Sequence, residues 1–429
     1  HCPMKYRSLN QPTTRRTFGQ ALREGLAPNR GLYVPENIPL LSDGFLRGTS
    51  LQEIGMEMMK PLVGNDLSAA QVQDVVEDSL NFEIPLVPLE EELQLLELFH
   101  GPTSAFKDVG ARMMSRFLQR VSSDRLTVLV ATSGDTGSAV AQGFVDVEGI
   151  DVVILYPRGR ISHIQEQQLT TVGKNVVALE IDGSFDDCQN LVKTAFQDEA
   201  LQRSRPLTSA NSINIGRWLP QSIYYAWAVA QAKQSVDFVI PSGNFGNAAA
   251  GVLAQKMGVP AGSFLAAVNT NASMQDYLHS GTYTPMSSIP TISNAMDVGN
   301  PSNRPRLEWL YNGSVSDMQS QFSVVSVDEE ATKQTMHRIK NESDVLVCPH
   351  TAVGIHAAQR KQGHGSTNNC TVVLATAHAA KFGAVVHAAT GHQPIVPDAL
   401  QSCLTKPKVA VALAATYESL KSYLMDSNH

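Results

Sequence analysis

The segment HGPTSAFKD at 100–108 sets Lys107 at the start of an apolar stripe, Phe106, Val109, Met113, Phe117 and Val121, that repeats at helical spacing. A cation in the first turn of a helix opposes the positive end of the helix dipole. Phe106 beside it excludes water, and both effects favour the neutral amine, the form that attacks a carbonyl to make an imine. A lysine taken at random near a helix start is a solvated surface residue, so Lys107 gains meaning only from its company.

That company is a set of loops, each following a β-branched run. SGNFGN at 242–247 offers Gly243, Asn244, Phe245, Gly246 and Asn247, whose small residues let backbone N–H groups approach a phosphate at a helix start. It matches neither GxxxxGK[ST] nor GxGxxG, so nucleotide hydrolysis and dinucleotide binding lose their usual signatures. SGDTG at 133–137 places Ser133, Asp135 and Thr136 around two glycines, a cup for a carboxylate or a cofactor hydroxyl. Arg158, Arg160 and Arg217 can bind a phosphate through charge-assisted bonds. Thr376 ends a strand and can make one hydrogen bond to a cofactor ring. Each motif also has a purely structural alternative: a capped turn, a surface arginine, a strand-end threonine. His100, His350 and His378 lack metal-ligand spacing and read as polar site or core residues, so no metal is expected. No GxSxG elbow supports a serine hydrolase.

Positioning these loops requires a parallel sheet. Runs at Leu126–Ala131, Val152–Tyr156, Val176–Ile181, Val236–Ile240, Val345–Cys348 and Val372–Ala375 read as strands, each followed by a loop and a helix. Ser162 and Gln165 have capping-box spacing, and Gly173 is placed to end that helix. Residues 51–80 show helical periodicity broken by Gly and Pro. Ligands gather at the carboxyl ends of such strands, where every unusual motif falls. The polar stretch from Gln362 to Asn369 reads as one exposed loop.

Bulk properties narrow the classes. The chain has 429 residues, 43% of them hydrophobic, which suffices for one large core or two to three domains. Forty acidic against 33 basic side chains give a formal charge of -7, which argues against a nucleic-acid partner. No apolar run approaches the roughly 20 residues of a membrane helix. The five scattered cysteines show no CxxC pair, which fits a reducing cytoplasm. The three residues before Met4 carry no charged-then-apolar pattern and are read as an appended remnant, not a signal peptide.

Taken in order, LELFHGPTSAFKDVGAR, ATSGDTGSAVA, ILYPRGRIS, ANSINIGRW, PSGNFGNAAAG, SNAMDVGNPSN, PHTAVG and TAHAAKF resemble the threonine synthases of the longer bacterial and fungal type. The resemblance begins with FGQALREGLAPNRGLYVPENIP and runs from Tyr6 to about Lys381. It implies an α/β fold-type II pyridoxal-phosphate enzyme, like the tryptophan synthase beta chain. Two open parallel-sheet domains would follow a mainly helical N-terminal region, divided as 1–95, then 96–120 with 216–429, then 121–215. Lys107 would carry the cofactor as an imine, residues 243–247 would cradle its phosphate, Thr376 would face the pyridine nitrogen, and Asp135 would lie near the ring hydroxyl. Ser133 and Thr136 would hold the substrate carboxylate, while Arg158, Arg160, Asn214 and Arg217 would take its phosphate. The implied reaction turns O-phospho-L-homoserine and water into L-threonine and phosphate in a cytoplasmic monomer or weak dimer. The rival readings are a phospho-lyase giving 2-oxobutyrate, a serine or threonine dehydratase, and a non-catalytic cofactor-binding protein. Three positions depart from the family pattern: Cys348 for an acidic residue, Ala379 for Pro, and Arg304 for an aromatic.

Overall fold

The computed structural model describes residues 4–47, 50–362 and 369–426. Two sheets organise the chain. The first runs in the order Phe322–Ser326, Ala261–Val268, Val236–Pro241, Cys370–Ala375, Leu93–Glu97 and Leu86–Glu90. Its pairings are parallel apart from the outermost, Leu86–Glu90, which is antiparallel. The second is wholly parallel, in the order Val411–Ala414, Val176–Asp182, Ile150–Pro157, Leu126–Ala131 and Leu207–Thr208.

Burial explains the strand sequences. Every residue of Leu126–Ala131, Ile150–Pro157 and Val236–Pro241 is buried, because helices cover both faces, and such strands need continuous apolar runs rather than alternation. Helices start where the sequence supplies caps. Ser50, Ser68, Ser162 and Ser184 each close a capping box with the residue three positions on. The region of helical periodicity resolves into Leu51–Val63 and Ala69–Ser79, whose Ile54, Met58, Val72 and Val76 join the largest core cluster.

The structure differs from the sequence reading in three places. Val345–Cys348 is no strand but the half-buried lead into the Pro349–Gln362 helix. The neighbouring positions in the sheet are already filled, because Cys370–Ala375 sits between Val236–Pro241 and Leu93–Glu97. Leu86–Glu90 and Leu93–Glu97 belong to the first sheet, which cuts the N-terminal region shorter than 1–95. After residue 404 the chain crosses back. Val411–Ala414 extends the second sheet, and Leu420 and Leu424 of the last helix pack in the same cluster as Leu155 and Leu179, so 216–429 does not stay with the first sheet. The centre of the polar stretch, 363–368, lies outside the described residues, as do the three residues before Met4. No helix of the described residues is long and apolar enough to cross a membrane.

Candidate active site

Loops at the carboxyl ends of Leu126–Ala131, Ile150–Pro157, Val236–Pro241 and Cys370–Ala375 surround one cavity of about 570 Å³. Lys107, Ser133, Asp135, Thr136, Arg160, Arg217, residues 243–247 and Thr376 all line it. Arg158 and Asn214 do not.

Lys107 reaches the cavity from a tightly held turn. The backbone N–H and hydroxyl of Thr103 donate to the two carboxylate oxygens of buried Asp108 at 2.8 and 2.7 Å. Gly101 allows this, because a Cβ there would stand 2.6 Å from Asp108 Oδ2. Phe106 N–H donates to the carbonyl of Thr376 at 2.8 Å, and His378 N–H to that of Ser104 at 3.0 Å, which stitches the turn to the end of Cys370–Ala375. The helix then begins at Lys107, with Nζ 4.5 Å from the centroid of the Phe106 ring. Desolvation pushes the lysine down to about 8; Arg217 and Lys381 push the same way, and Asp135 opposes them. About a tenth of Lys107 is therefore uncharged at pH 7, far more than for an ordinary lysine, and that is the state imine chemistry needs.

Across the cavity, the Gly246–Lys256 helix starts without a side-chain cap, so its first N–H groups remain donors for an anion. Crowding dictates Gly243, where a Cβ would lie 2.9 Å from the Ala295 carbonyl oxygen, and leaves little room at Gly246, where one would lie 3.1 Å from Asn303 Nδ2. Phe245 takes a left-handed conformation, φ 60°, to turn the chain into the helix. Asn244 is anchored by Ser302, whose N–H and hydroxyl donate to its Oδ1. Asn247 Oδ1 accepts from Tyr224 and Tyr225, and its buried Nδ2 has no partner. A buried donor without an acceptor is costly unless a ligand supplies one.

The 133–137 turn forms a third wall. Gly134 has φ 134°, and a Cβ there would meet the Gln165 side chain at 2.3 Å. That Gln165 amide donates to Asp135 Oδ1 at 3.0 Å. Burial resists ionisation of Asp135, but Lys381, Lys107 and Gln165 together outweigh it and hold the carboxyl below the usual range. Ser133 and Thr136 line the cavity beside it.

The four phosphate candidates separate. Arg217 is buried beside the cavity and donates to the Ala210 carbonyl, while its Nε has no partner. Desolvation pushes it down to about 10, which leaves it charged at neutral pH. Arg160 is solvent-exposed at the cavity mouth. Arg158 points elsewhere, 3.7 Å from Glu180 and 3.8 Å from Asp182. Asn214 caps the Ile215–Trp218 turn: its Oδ1 accepts from Gly216 N–H and its Nδ2 donates to the carbonyls of Leu22 and Ser209. Both amide hydrogens and one acceptor direction are thus used within the fold, and Asn214 serves as a helix cap outside the cavity lining.

Several residues went unassigned in the sequence. Asn211, from the same ANSINIGRW motif, lines the cavity with an unpartnered Oδ1. His350 lines it too; burial pushes its imidazole down to about 4, so it is neutral, accepting from Ala295 N–H through Nε2. Lys381, a motif residue without an assigned role, is buried and sits 2.7 Å from Asp135. Of the three departures, Cys348 accepts from Thr351 N–H at 3.5 Å like a helix cap, and Arg304 stacks on Tyr283 at 4.1 Å. Ala379 starts a short 3-10 turn capped by His378, so the turn forms without a proline. Among the described residues no cluster of His, Cys, Asp or Glu is placed to hold a metal.

A buried amine opposite a glycine-framed helix start, between two parallel sheets, defines a fold-type II pyridoxal-phosphate enzyme, and the model of the pyridoxal-phosphate dependent enzyme family matches residues 83–377. The flanks are narrower in meaning: the threonine synthase N terminus matches 5–80 and the threonine synthase C-terminal family 351–424. The chain is 38% identical to a threonine synthase of Escherichia coli over 99% of this chain and 100% of that one. It superimposes on the structure of a pyridoxal-phosphate-bound threonine synthase from Brucella melitensis with a TM-score of 0.93, at 34% identity, covering 98% and 99% of the two chains. The yeast threonine synthase structure gives a TM-score of 0.89 at 31% identity, covering 98% of each chain. The chain belongs to the threonine synthase family of pyridoxal-phosphate-dependent lyases. The cofactor fits the residues present: Lys107 offers the amine, while Asn247 Nδ2 and the uncapped helix start offer donors for a phosphate.

Proposed function

We propose that the chain converts O-phospho-L-homoserine and water into L-threonine and phosphate, with Lys107 as its catalytic residue. What supports this reading is that a single cavity holds an amine depressed to about 8, an uncapped glycine-framed helix start for one phosphate, and two arginines, Arg160 and Arg217, in its lining. A dehydratase acting on serine or threonine has no second phosphate to bind and no use for those arginines.

When bound, the cofactor supplies an electron sink for charge developing at the substrate Cα. The residues supply the rest. Residues 243–247 would hold the cofactor phosphate, Thr376 would offer its hydroxyl to the ring nitrogen, and Asp135 would serve the ring hydroxyl. Ser133 and Thr136 fix the substrate carboxylate, which aligns the Cα–H bond with Lys107. Lys107 takes the proton from Cα, passes it on, and, neutral again, takes one from Cβ. Arg217 and Arg160 neutralise the phosphate as it leaves Cγ with the C–O bonding pair. The proton taken from Cβ goes to Cγ, which becomes the methyl group; water adds its hydroxyl at Cβ and gives its other proton to the departed phosphate, and the proton first taken returns to Cα. The two sheets are read as two domains whose facing strand ends exclude bulk water, so that the water at Cβ is the ordered one.

Incubation of the holoprotein with O-phospho-L-homoserine tests this. Phosphate and threonine are expected in equal amounts. Phosphate with 2-oxobutyrate in place of threonine identifies the phospho-lyase, and no phosphate at all overturns the assignment.

A further inference from the structure

Lys381 and Asp135 form an ion pair at 2.7 Å with side chains 0% and 5% exposed, from segments 246 positions apart. Lys381 Nζ also donates to the Thr103 carbonyl at 2.9 Å, in the turn that delivers Lys107. The same carbonyl accepts from Gln168 Nε2 at 3.1 Å, and Asp135 accepts from Gln165. Ser162, which caps the helix of both glutamines, donates to the Lys381 carbonyl at 3.3 Å. The ammonium therefore ties the 100–108 turn to the start of the Asp135–Phe144 helix, and the Lys381 carbonyl and the two glutamines join the helix following the arginine loop to them. A pair with so little contact with water loses much hydration and is retained only where its geometry is satisfied or its charges have a task.

We propose that Lys381 is a positioning residue for the family reaction: it fixes the Asp135 carboxylate in the cavity wall and balances its charge, so that Asp135 does not capture Lys107 as an ion-pair partner. The inference rests on the reading of Lys107 as the reacting amine. The groups facing Lys107 are Asp135, Arg217 from the Ile215–Trp218 turn, Lys381 from the Ala379–Phe382 turn and His350 from the Pro349–Gln362 helix. His350 is neutral and Arg217 charged across the working range. Asp108 faces Lys381 and Arg217 from the second turn residue of the Lys107 helix. Asp135 is thus the only group in this set that draws a proton onto Lys107, and Lys381 is the cation in direct contact with it.

Cofactor-free protein provides the test. Acetic anhydride labelling of Lys107, read by peptide mass spectrometry across pH, reports the fraction of neutral amine without any catalysis. The expected midpoint is about 8 in the parent chain. Lys381→Met shifts it upward and cuts labelling near neutral pH several-fold. Asp135→Asn shifts it downward, the double variant Lys381→Met with Asp135→Asn returns it close to the parent value, and Lys381→Arg preserves it. A merely structural Lys381 would lower stability without moving the midpoint. Unmoved midpoints in both single variants overturn the proposal, as does a double variant that matches Lys381→Met. Should Lys381→Met fail to fold, Asp135→Asn and the double variant, which buries no lone charge, still decide it. Absence of a visible imine band when the parent chain is mixed with pyridoxal phosphate would instead defeat the reading of Lys107.

Discussion

Tyr224 donates its hydroxyl hydrogen to Asn247 Oδ1 at 2.6 Å. Tyr225 donates to the same oxygen at 2.7 Å, so both acceptor directions of the amide are occupied, and the buried Nδ2 of this cavity-lining residue is left without a partner.

The consequence is a cofactor-affinity effect. A hydrogen bond to a charged group contributes about 1.5–3 kcal/mol, so Asn247→Ala raises the dissociation constant for pyridoxal phosphate roughly tenfold to a hundredfold. Spectroscopic titration of cofactor-free protein measures it. The double variant Tyr224→Phe, Tyr225→Phe weakens binding in the same direction, because it frees the amide to rotate.

Arginine geometry predicts a second split. Arg160→Ala raises KM for the phosphorylated substrate by about tenfold or more, since a charge-assisted bond is lost. Arg158→Ala changes KM less than about twofold, because Arg158 lies outside the cavity lining, beside Glu180 and Asp182. Asn214→Ala costs about 1–2 kcal/mol of stability through the lost cap and leaves KM near the parent value. Steady-state kinetics and urea denaturation distinguish all three.

The chemical motifs were legible because their residue types are forced. Gly134 and Gly243 sit where any Cβ would collide, and Lys107 begins a helix as its apolar stripe required. Asn214 and Asn211 were harder to tell apart. Asn followed by a short helix is cap spacing, and that signal pointed to structure in the same motif that supplied a cavity residue. Lys381 was invisible as an ionic partner, since nothing local marks a lysine whose carboxylate lies 246 positions away. The same holds for Val411–Ala414, whose parallel pairing with Val176–Asp182 depends on contacts no local period encodes. Val345–Cys348 shows the converse: a short β-branched run is ambiguous until its sheet position is known to be free.

Lys107 also predicts how the stability of cofactor-free protein responds to pH. Its folded value, about 8, lies below the ordinary 10.5. Between those values the unfolded chain holds a proton that the folded chain lacks, so stability rises with pH, by up to about 1.4 kcal/mol per unit. Below about 8 both states are protonated and this contribution is flat. Denaturant midpoints compared with Lys107→Met isolate the effect, and an equal pH slope in the two proteins contradicts it.

The central claim is that one amine among the lysines near this cavity carries the cofactor, and chemical trapping reads it directly. Holoprotein reduced with borohydride and digested should yield a pyridoxyl group on the peptide containing Lys107, with Lys107→Ala showing neither label nor visible imine band. A label on Lys381, or an undiminished band in Lys107→Ala, would contradict the account.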